Sequence, residues 1–327
     1  KSSIIFLPEG GVPADIFDES AAEIVSYDKQ TKRLFIVNSF SGSVDIVDIS
    51  DVDNPEAVAS VDLSAFGGDP TSVSVNPDKK QAEIAIAVPA VPETDPGTVV
   101  FLDTDGNYLN HVTVGALPDM LTYDKKGKLV LVANEGQPAD GVDPEGSVAI
   151  IDVAKGAAKV APGDVTIVGF TDLNGMVSEL ATAGVRLFPE VFAGDITVAQ
   201  DLEPEYVALS ENGDKLFVCL QEANSIAEID VKNKELVSIF ALGLKDHSVP
   251  GFGLDPSDRD DEINGGINIG NWPVSGMYMP DGIAAFRTRG GNYIASANEG
   301  DDRGEDERVK DLVLDPTSFP NAAALQE

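Results

Sequence analysis

Three stretches of the sequence place carboxylates at matching points of one repeated pattern. Each begins with Pro and an acidic residue, continues through an apolar run, a polar turn and a second apolar run, and ends near a Glu. The stretches are PDMLTYDKKGKLVLVANEG from 118, PEYVALSENGDKLFVCLQEAN from 204 and PDGIAAFRTRGGNYIASANEG from 280. The acids after Pro are Asp119, Glu205 and Asp281, and those after the second run are Glu135, Glu222 and Glu299. Equivalent points of repeats that pack around an axis converge, so we expect these six carboxylates to meet.

Converging carboxylates require a source of positive charge. They cannot all stay ionised where the dielectric constant is low, unless cations neutralise them or their pKa values rise. Calcium accepts six to eight oxygen ligands in flexible geometry, whereas zinc prefers His and Cys. The chain has two His and one Cys. The six acids therefore predict a calcium site, the alternative being that they cap turns and are solvated.

Acidic loops provide a second candidate cation site. The stretch GLDPSDRDDEINGGINIGN, from 253, is rich in Asp, Glu and Asn, and EGDDRGEDER follows from 299. Neither fits the EF-hand spacing, so the resemblance to a calcium loop is one of chemistry only. Solvated loops of the same composition are equally compatible with the pattern. The candidate ligands here are Asp255, Asp258, Asp260, Glu262 and Asp301.

A metal-dependent phosphoesterase is the alternative use of such a site. Carboxylates would hold metal ions that polarise a phosphoryl oxygen and activate water. Its candidate catalytic residues are Glu299, Asp281 and His247, although a hydrogen bond that orders the loop is the simpler role for His247. Candidate phosphate-binding cations are Lys245, Arg259, Arg287 and Arg303. No GxSxG, P-loop or HExxH motif occurs, and we favour a binding module over an enzyme.

Composition limits the partners. Acidic residues number 56 against 22 basic ones, which gives a net charge of −34. This charge repels nucleic-acid phosphates and anionic membranes, so we expect no nucleic-acid partner. No apolar run reaches the roughly 18 residues of a membrane-spanning segment, so we expect no direct insertion into membranes. Cys219 is the only cysteine, which excludes an internal disulfide.

The elements that position these acids belong to a longer repeat. Short Val- and Ile-rich runs recur between turns, and the equivalent points Ala21, Pro70 and Pro118 lie 49 and 48 residues apart. That is the length of a four-stranded blade. The sequence therefore predicts an all-β protein, a β-propeller of four-stranded blades with seven blades when complete.

The predicted propeller is one domain over 1–327 with two insertions. Residues 154–203 are predicted to be an insertion with a short helix near 173–190, and 244–279 an acidic loop rich in Gly and Asn. Five blade starts do not close a ring of seven, so we expect a chain truncated before ring closure. Either a segment outside this chain or the N-terminal SSIIFLP would seal the ring.

Several of these stretches resemble the choice-of-anchor I family. The resemblance is carried by VANEGQPADGVDPEGSVAIIDV, DLEPEYVALSENGDKLFVCLQEANSIAEID and ANEGDDRGEDERVKDLVLDPTSFPNAAALQ, and it extends over essentially the whole chain. The family includes bacterial surface proteins and mesenchyme-specific cell-surface glycoproteins. The resemblance implies a secreted or surface-anchored propeller, often within a longer polypeptide that continues past FPNAAALQ. Some relatives are labelled alkaline-phosphatase-like.

The sequence thus predicts a secreted or cell-surface, calcium-binding propeller that serves in adhesion, matrix contact or surface assembly. Its expected partner is a surface or matrix component, or another segment of the same polypeptide. The alternative function is a metal-dependent phosphoesterase, alkaline-phosphatase-like or phytase-like, with its metal site at the mouth of the propeller channel.

Overall fold

Antiparallel strands form most of the structure. The computed structural model describes residue 22 and residues 24–256, 266–300 and 308–325. Four sheets have four strands each, and in each sheet consecutive strands are neighbours. Their strands are β1 (Val25–Asp28), β2 (Arg33–Asn38), β3 (Ser43–Asp48) and β4 (Glu56–Asp62); β5 (Ser72–Val75), β6 (Glu83–Val88), β7 (Pro96–Asp103) and β8 (Tyr108–Ala116); β9 (Pro118–Tyr123), β10 (Leu129–Asn134), β11 (Ser147–Asp152) and β12 (Val165–Gly169); β13 (Pro204–Leu209), β14 (Lys215–Leu220), β15 (Ser225–Asp230) and β16 (Glu235–Ala241).

Two smaller sheets follow the four blades. One pairs β17 (Leu244–Asp246) with β18 (Ser275–Met277), and the other pairs β19 (Pro280–Thr288) with β20 (Gly291–Asn298). By their order and sequence, β19 and β20 are the first two strands of a fifth blade. The predicted β-propeller class is confirmed, while the total of seven blades stays a prediction.

Hydrogen bonds between blades fix the repeat length. The Ser26 Oγ accepts from the Val75 main-chain N–H at 3.0 Å, and the Ser72 Oγ accepts from that of Leu121 at 3.1 Å. Both bonds join residues 49 apart. The first strands β1, β5, β9, β13 and β19 contact one another in that order, as expected of strands that line a central channel.

Apolar layers between neighbouring blades form the core. Because successive side chains on a strand face opposite sides, a strand between two layers must be apolar throughout. In β10, Leu131 and Ala133 pack towards the fourth blade, and Val130 and Val132 towards the second. This double burial explains why the second strands read as continuous apolar runs.

The layer before the fifth blade is the smallest. Its buried members are Ala208, Phe217, Cys219, Ile226 and Ile283. The layer between the third and fourth blades is much larger, because the following helices add to it. The fifth blade is therefore held by fewer apolar contacts than the others in the described part of the chain.

The structure divides the predicted 154–203 insertion into two parts. Residues 165–169 form β12, which pairs with β11 and completes the third blade. Three short helices follow, α1 (Val177–Ala183), α2 (Pro189–Ala193) and α3 (Val198–Asp201). The first two span the region where a helix is predicted near 173–190. Their apolar residues Leu180, Val191 and Val198 are buried between the third and fourth blades.

Residues 244–279 connect the fourth blade to the fifth. The β17–β18 pair joins the two ends of this connection, and an isolated bridge joins Leu254 to Gly270. After β20, the chain forms a 3-10 turn at Val309–Asp311 and a last short helix, α4 (Ala322–Leu325). Within the described residues, no helix has both the length and the apolar character needed to cross a membrane.

Candidate functional site

A β-bulge interrupts each of the three acid-bearing first strands at the acid. In β9, Asp119 and Met120 lie opposite the single residue Ala133. The same shift places Glu205 and Tyr206 opposite Cys219 in β13, and Asp281 and Gly282 opposite Ala297 in β19. The second blade has Thr71 in place of the acid, and its β5–β6 ladder has no shift. Since a bulge changes the direction of a side chain, the three acids are turned in the same way.

Glu135 and Glu205 lie among like charges. Burial, followed by neighbouring negative charges, raises the pKa of Glu135 to about 9. The same causes, in the same order, raise the pKa of Glu205 to about 10. The charges that act on Glu135 belong to Asp119, Glu203, Glu222 and Glu93, and those that act on Glu205 belong to Glu222, Glu135, Asp119 and Asp281. At neutral pH these two groups therefore bind a proton or require a cation.

We use the name carboxylate cluster for the side chains of Asp119, Glu135, Glu203, Glu205, Glu222 and Asp281. Two further groups show that it extends to the fifth blade. Burial and then the charges of Glu205 and Asp281 raise the pKa of the Cys219 thiol, whose Sγ donates to the main-chain oxygen of Pro280. Burial and the charge of Asp281 raise the pKa of Tyr206. The cluster thus joins three successive blades.

The strand register corrects one equivalence suggested by the sequence. It places Gln221, rather than Glu222, at the point that Glu135 and Glu299 occupy in their blades. Glu222 lies one residue further along, where it is buried. Its charge still acts on Glu135 and Glu205, so it belongs to the cluster. The Gln221 Nε2 instead donates to the main-chain oxygen of Gly300 at 3.3 Å.

Glu203 is a member of the cluster that the repeat does not indicate. It stands directly before the repeated Pro, where the other two repeats have Leu117 and Met279. It is buried, and its charge acts on the carboxyl group of Glu135. Its segment packs against Gly146 so closely that a β-carbon there would lie 2.0 Å from the main-chain oxygen of Leu202. Only glycine fits at this contact.

Asn224 positions the strand that carries Asp281. Its φ of 46° lies in the left-handed region, and its side chain is buried. The Asn224 Oδ1 accepts from the main-chain N–H groups of Tyr278 and Met279 at 3.0 and 3.1 Å. Its Nδ2 donates to the main-chain oxygen of Gly243 at 2.8 Å. The Asn224 side chain therefore forms hydrogen bonds with the main chain at both ends of the 244–279 connection.

The remaining predicted ligands lie elsewhere. Glu299 is exposed, and its main-chain N–H donates to Met279, as that of Glu135 does to Leu117. The Asp255 Oδ2 accepts from the main-chain N–H of Asn268 at 2.7 Å, a contact within the acidic loop. The other predicted ligands, Asp258, Asp260, Glu262 and Asp301, lie outside the described residues, as do Arg259 and Arg303.

The proposed catalytic base and phosphate-binding cations have local contacts. His247 is buried, and its Nδ1 is 2.7 Å from the main-chain oxygen of Phe252 in the same connection. The Lys245 Nζ lies 5.7 Å from the centre of the Phe252 ring. Arg287 is near the tip of the β19–β20 hairpin, opposite Asn292. The contact of His247 agrees with a role in ordering the loop.

The carboxylates of the cluster act on one another by charge repulsion and do not form a compact ligand shell. Among the described residues, no three His, Cys, Asp or Glu side chains surround a single point closely enough to hold a metal ion. Glu135, Glu203, Glu205 and Glu222 have several rotatable bonds each, and Asp119 and Asp281 are half-buried. Rotation of these side chains is needed before they could share an ion.

Comparison with protein families gave one match. The family model of the choice-of-anchor I domain matches residues 23–327. A comparison with curated proteins gave no match.

Solved structures give more distant similarities. Hydrazine synthase from Kuenenia stuttgartiensis is 16% identical over 74% of this chain and 55% of its own, with a TM-score of 0.47. A functionally unknown protein from Desulfotomaculum acetoxidans is 15% identical over 68% and 58%, with a TM-score of 0.46. A β-propeller domain from Myceliophteria thermophila is 13% identical over 69% and 59%, with a TM-score of 0.43. The chain therefore spans less than two thirds of each of these structures.

Proposed function

The chain belongs to the choice-of-anchor I family, and on this premise we propose that it is a calcium-binding propeller domain that acts as an interaction module at the cell surface or outside the cell. The family indicates a surface-associated propeller domain. The calcium site, secretion, and a role in adhesion, matrix contact or surface assembly are parts of the proposal. The proposed partner is a surface or matrix component, or another segment of the same polypeptide.

The observation that carries the proposal is the convergence of acids from three blades. Bulges turn Asp119, Glu205 and Asp281 in the same way, and burial with mutual repulsion raises the pKa of Glu135 to about 9 and that of Glu205 to about 10. A bound cation would offset this repulsion. Because the cation binds only the arrangement that brings three blades together, its binding would stabilise the folded state.

Calcium is the cation that suits these donors. The cluster offers carboxylate oxygens on six side chains. Calcium binds six to eight such oxygens without strict geometry, whereas magnesium requires a near-octahedral set. Zinc would require His or Cys, and the one nearby thiol, Cys219, has its pKa raised by burial.

The test compares calcium binding by the unmodified chain with that of Glu135→Gln/Glu205→Gln. We expect calorimetry to show binding to the unmodified chain and an affinity at least about tenfold lower for the double variant. Calcium at a hundredfold excess over Kd should stabilise the unmodified chain by about 2.7 kcal/mol. In chelator, the double variant should melt at a higher temperature than the unmodified chain, since Gln can be buried there without taking up a proton or a cation.

A matched control removes two exposed acids from outer strands. Glu56→Gln/Glu235→Gln removes the same number of acidic side chains, at exposed positions that begin β4 and β16. It should retain calcium binding, which separates a specific site from general attraction to an acidic surface. Equal melting temperatures in calcium and in chelator, with no calorimetric signal, would refute the proposal.

The phosphoesterase alternative has no comparable support in the described geometry. Its proposed base, His247, is hydrogen-bonded to Phe252 within the 244–279 connection. Glu299 is exposed. The Lys245 side chain lies over the Phe252 ring, and Arg287 lies near the tip of the β19–β20 hairpin, so neither is part of the carboxylate cluster. We therefore base the proposed function on cation binding alone.

A further inference from the structure

Loops of the first and second blades surround a cavity of about 370 Å³, which we call the loop cavity. Among its lining residues, Ser39 follows β2, Pro89 follows β6, Thr71 precedes β5 and Leu117 precedes β9. The equivalent strand ends carry the carboxylate cluster in the following blades. Sites for small ligands are concave and measure about 300 to 1,000 Å³. The loop cavity is therefore large enough for an organic ligand.

Main-chain hydrogen bonds hold two walls of the loop cavity in place. The Leu117 N–H donates to the main-chain oxygen of Glu93 at 3.2 Å, and the Leu117 oxygen accepts from the Glu135 N–H at 2.8 Å. Leu117 therefore separates the loop cavity from the carboxylate cluster. On the other side, the Gly68 N–H donates to the main-chain oxygen of Pro89 at 2.8 Å.

One part of the lining is apolar. It is formed by Pro89, Val91, Pro92 and Leu117. The Val91 side chain is 78% exposed, whereas Pro89 is buried. Covering exposed apolar surface with a hydrocarbon group is favourable in water. This part of the cavity therefore suits a ligand with a short hydrocarbon chain.

Two hydroxyl groups of the lining already use their only proton. The Ser39 Oγ donates to the main-chain oxygen of Pro70 at 2.8 Å, and the Thr71 Oγ1 donates to that of Pro118 at 2.7 Å. A hydroxyl group has one proton to donate and two lone pairs that accept. Both oxygens can therefore act only as acceptors towards a ligand.

The remaining polar side chains of the lining are the carboxylates of Asp69 and Glu93. In the part of the chain that the structure describes, no Lys, Arg or His lines the cavity. The lining side chains thus offer acceptors and negative charge, and the ligand must supply donors and positive charge. An ammonium group has three donors and no acceptor. A guanidinium group is a planar fork that best matches one carboxylate, whereas here the acceptors belong to four separate residues.

We propose that the loop cavity binds a primary alkylammonium group. Its N–H groups donate to the carboxylates of Asp69 and Glu93 and to the hydroxyl oxygens, and its hydrocarbon chain lies against the apolar part of the lining. The group is carried either by a free amine or by the Lys side chain of a protein. This site goes beyond the proposed calcium site and does not depend on it.

Titration of the chain with n-butylammonium, followed by NMR, tests the site. The titration is made in chelator, so that its outcome is independent of calcium, and at about 0.15 M salt, which screens general attraction to the acidic surface. We expect saturable shifts of the main-chain N–H signals of Gly68, Thr71 and Leu117, and unchanged signals in β16. Tetramethylammonium has the charge without N–H donors, and n-butanol has the chain without the charge. Both should bind at least about tenfold more weakly.

A pair of matched variants tests the carboxylates. Asp69→Asn/Glu93→Gln should bind n-butylammonium at least about tenfold more weakly, because charge-assisted hydrogen bonds are the stronger ones. The control Asp172→Asn/Glu179→Gln removes the same charge and should bind as the unmodified chain does. All four residues are exposed, so both variants should keep the melting temperature of the unmodified chain.

A comparison of two further ligands distinguishes the sources of the ammonium group. Stronger binding of Nα-acetyl-lysine methylamide than of 1,5-diaminopentane would support the proposal and indicate a Lys side chain, and the reverse order would support it and indicate a free amine. Equal affinity for n-butylammonium and tetramethylammonium, equal affinity in the two double variants, or shifts that spare the lining residues would each overturn the proposal.

Discussion

The side-chain oxygen of Asn224 accepts a hydrogen bond from the main-chain N–H of Met279 at 3.1 Å, although 55 residues separate the two. Both residues have positive φ, 46° and 39°, a backbone conformation that most residue types do not adopt readily. Met279 directly precedes Pro280 and the bulge that turns Asp281. The contact therefore links the end of the fourth blade to the part of the carboxylate cluster that belongs to the fifth.

Replacing Asn224 by Gly should lower the free energy of unfolding by about 2 kcal/mol, because the buried main-chain N–H of Met279 and the partly buried one of Tyr278 lose their acceptor. Glycine tolerates the left-handed conformation, so the loss reports the side chain rather than backbone strain. The free energy is measured by urea unfolding. Asn212→Gly, at an exposed turn, is the matched control and should change it by less than about 0.5 kcal/mol. Equal values for the two variants would contradict the assigned role.

The pKa values of the cluster predict how stability depends on pH. A Glu carboxyl titrates near about 4.3 in an unfolded chain, whereas the pKa is about 9 for Glu135 and about 10 for Glu205 in the folded protein. Between these values the folded state binds more protons than the unfolded state. The free energy of unfolding in chelator should therefore fall as pH rises from about 5 to about 9. Urea unfolding at several pH values measures this fall.

Two comparisons isolate the cluster in that experiment. Glu135→Gln should make the pH dependence roughly half as steep, because one of the two raised groups no longer titrates. Calcium should make it less steep in the unmodified chain, because the cation stabilises the ionised carboxylates. Carboxyls such as Asp62, whose pKa is lowered by hydrogen bonds from Ser64, titrate below this range. Stability that is constant or rises from pH 5 to pH 9 in chelator would contradict the prediction.

Repetition made much of the site predictable from the sequence. The first strands recur with Pro and an acid, so Asp119, Glu205 and Asp281 could be assigned to equivalent points without a structure. The period also appears in two Ser residues of the first strands, because Ser26 and Ser74 each accept a hydrogen bond from the main chain of the next blade. Features that several blades share recur in the sequence, and this recurrence makes them predictable.

Features that occur once were not predictable in this way. Glu203 has Leu117 and Met279 at its equivalent points, so the repeat gave no signal for it. Glu222 matched Glu135 by letter, but backbone pairing sets the register and gives that point to Gln221. The sequence pattern does not predict the strand β12 as part of the third blade, because two 3-10 turns separate it from β11. In each case, the deciding contact joins segments that local patterns do not connect.

Gly146 is the residue whose substitution should most directly disturb the approach to Glu203. In Gly146→Ala the new β-carbon would lie 2.0 Å from the main-chain oxygen of Leu202 and 2.6 Å from the Pro204 Cδ. Both atoms belong to a buried segment and cannot rotate away, so backbone must shift. We expect the free energy of unfolding to fall by about 2 kcal/mol or more, together with weaker calcium binding, since Glu203 and Glu205 flank the displaced Pro.

A matched alanine substitution separates this steric effect from a general cost of replacing glycine. Gly163 has no atom within 4 Å of the position that a β-carbon would take, and its φ is one that alanine adopts. Gly163→Ala should therefore be neutral or slightly stabilising, because alanine reduces the freedom of the unfolded chain. Urea unfolding and calcium calorimetry on both variants provide the comparison. If Gly146→Ala matched Gly163→Ala in both measurements, the close approach of residues 146 and 202 could not be what holds Glu203 in the cluster.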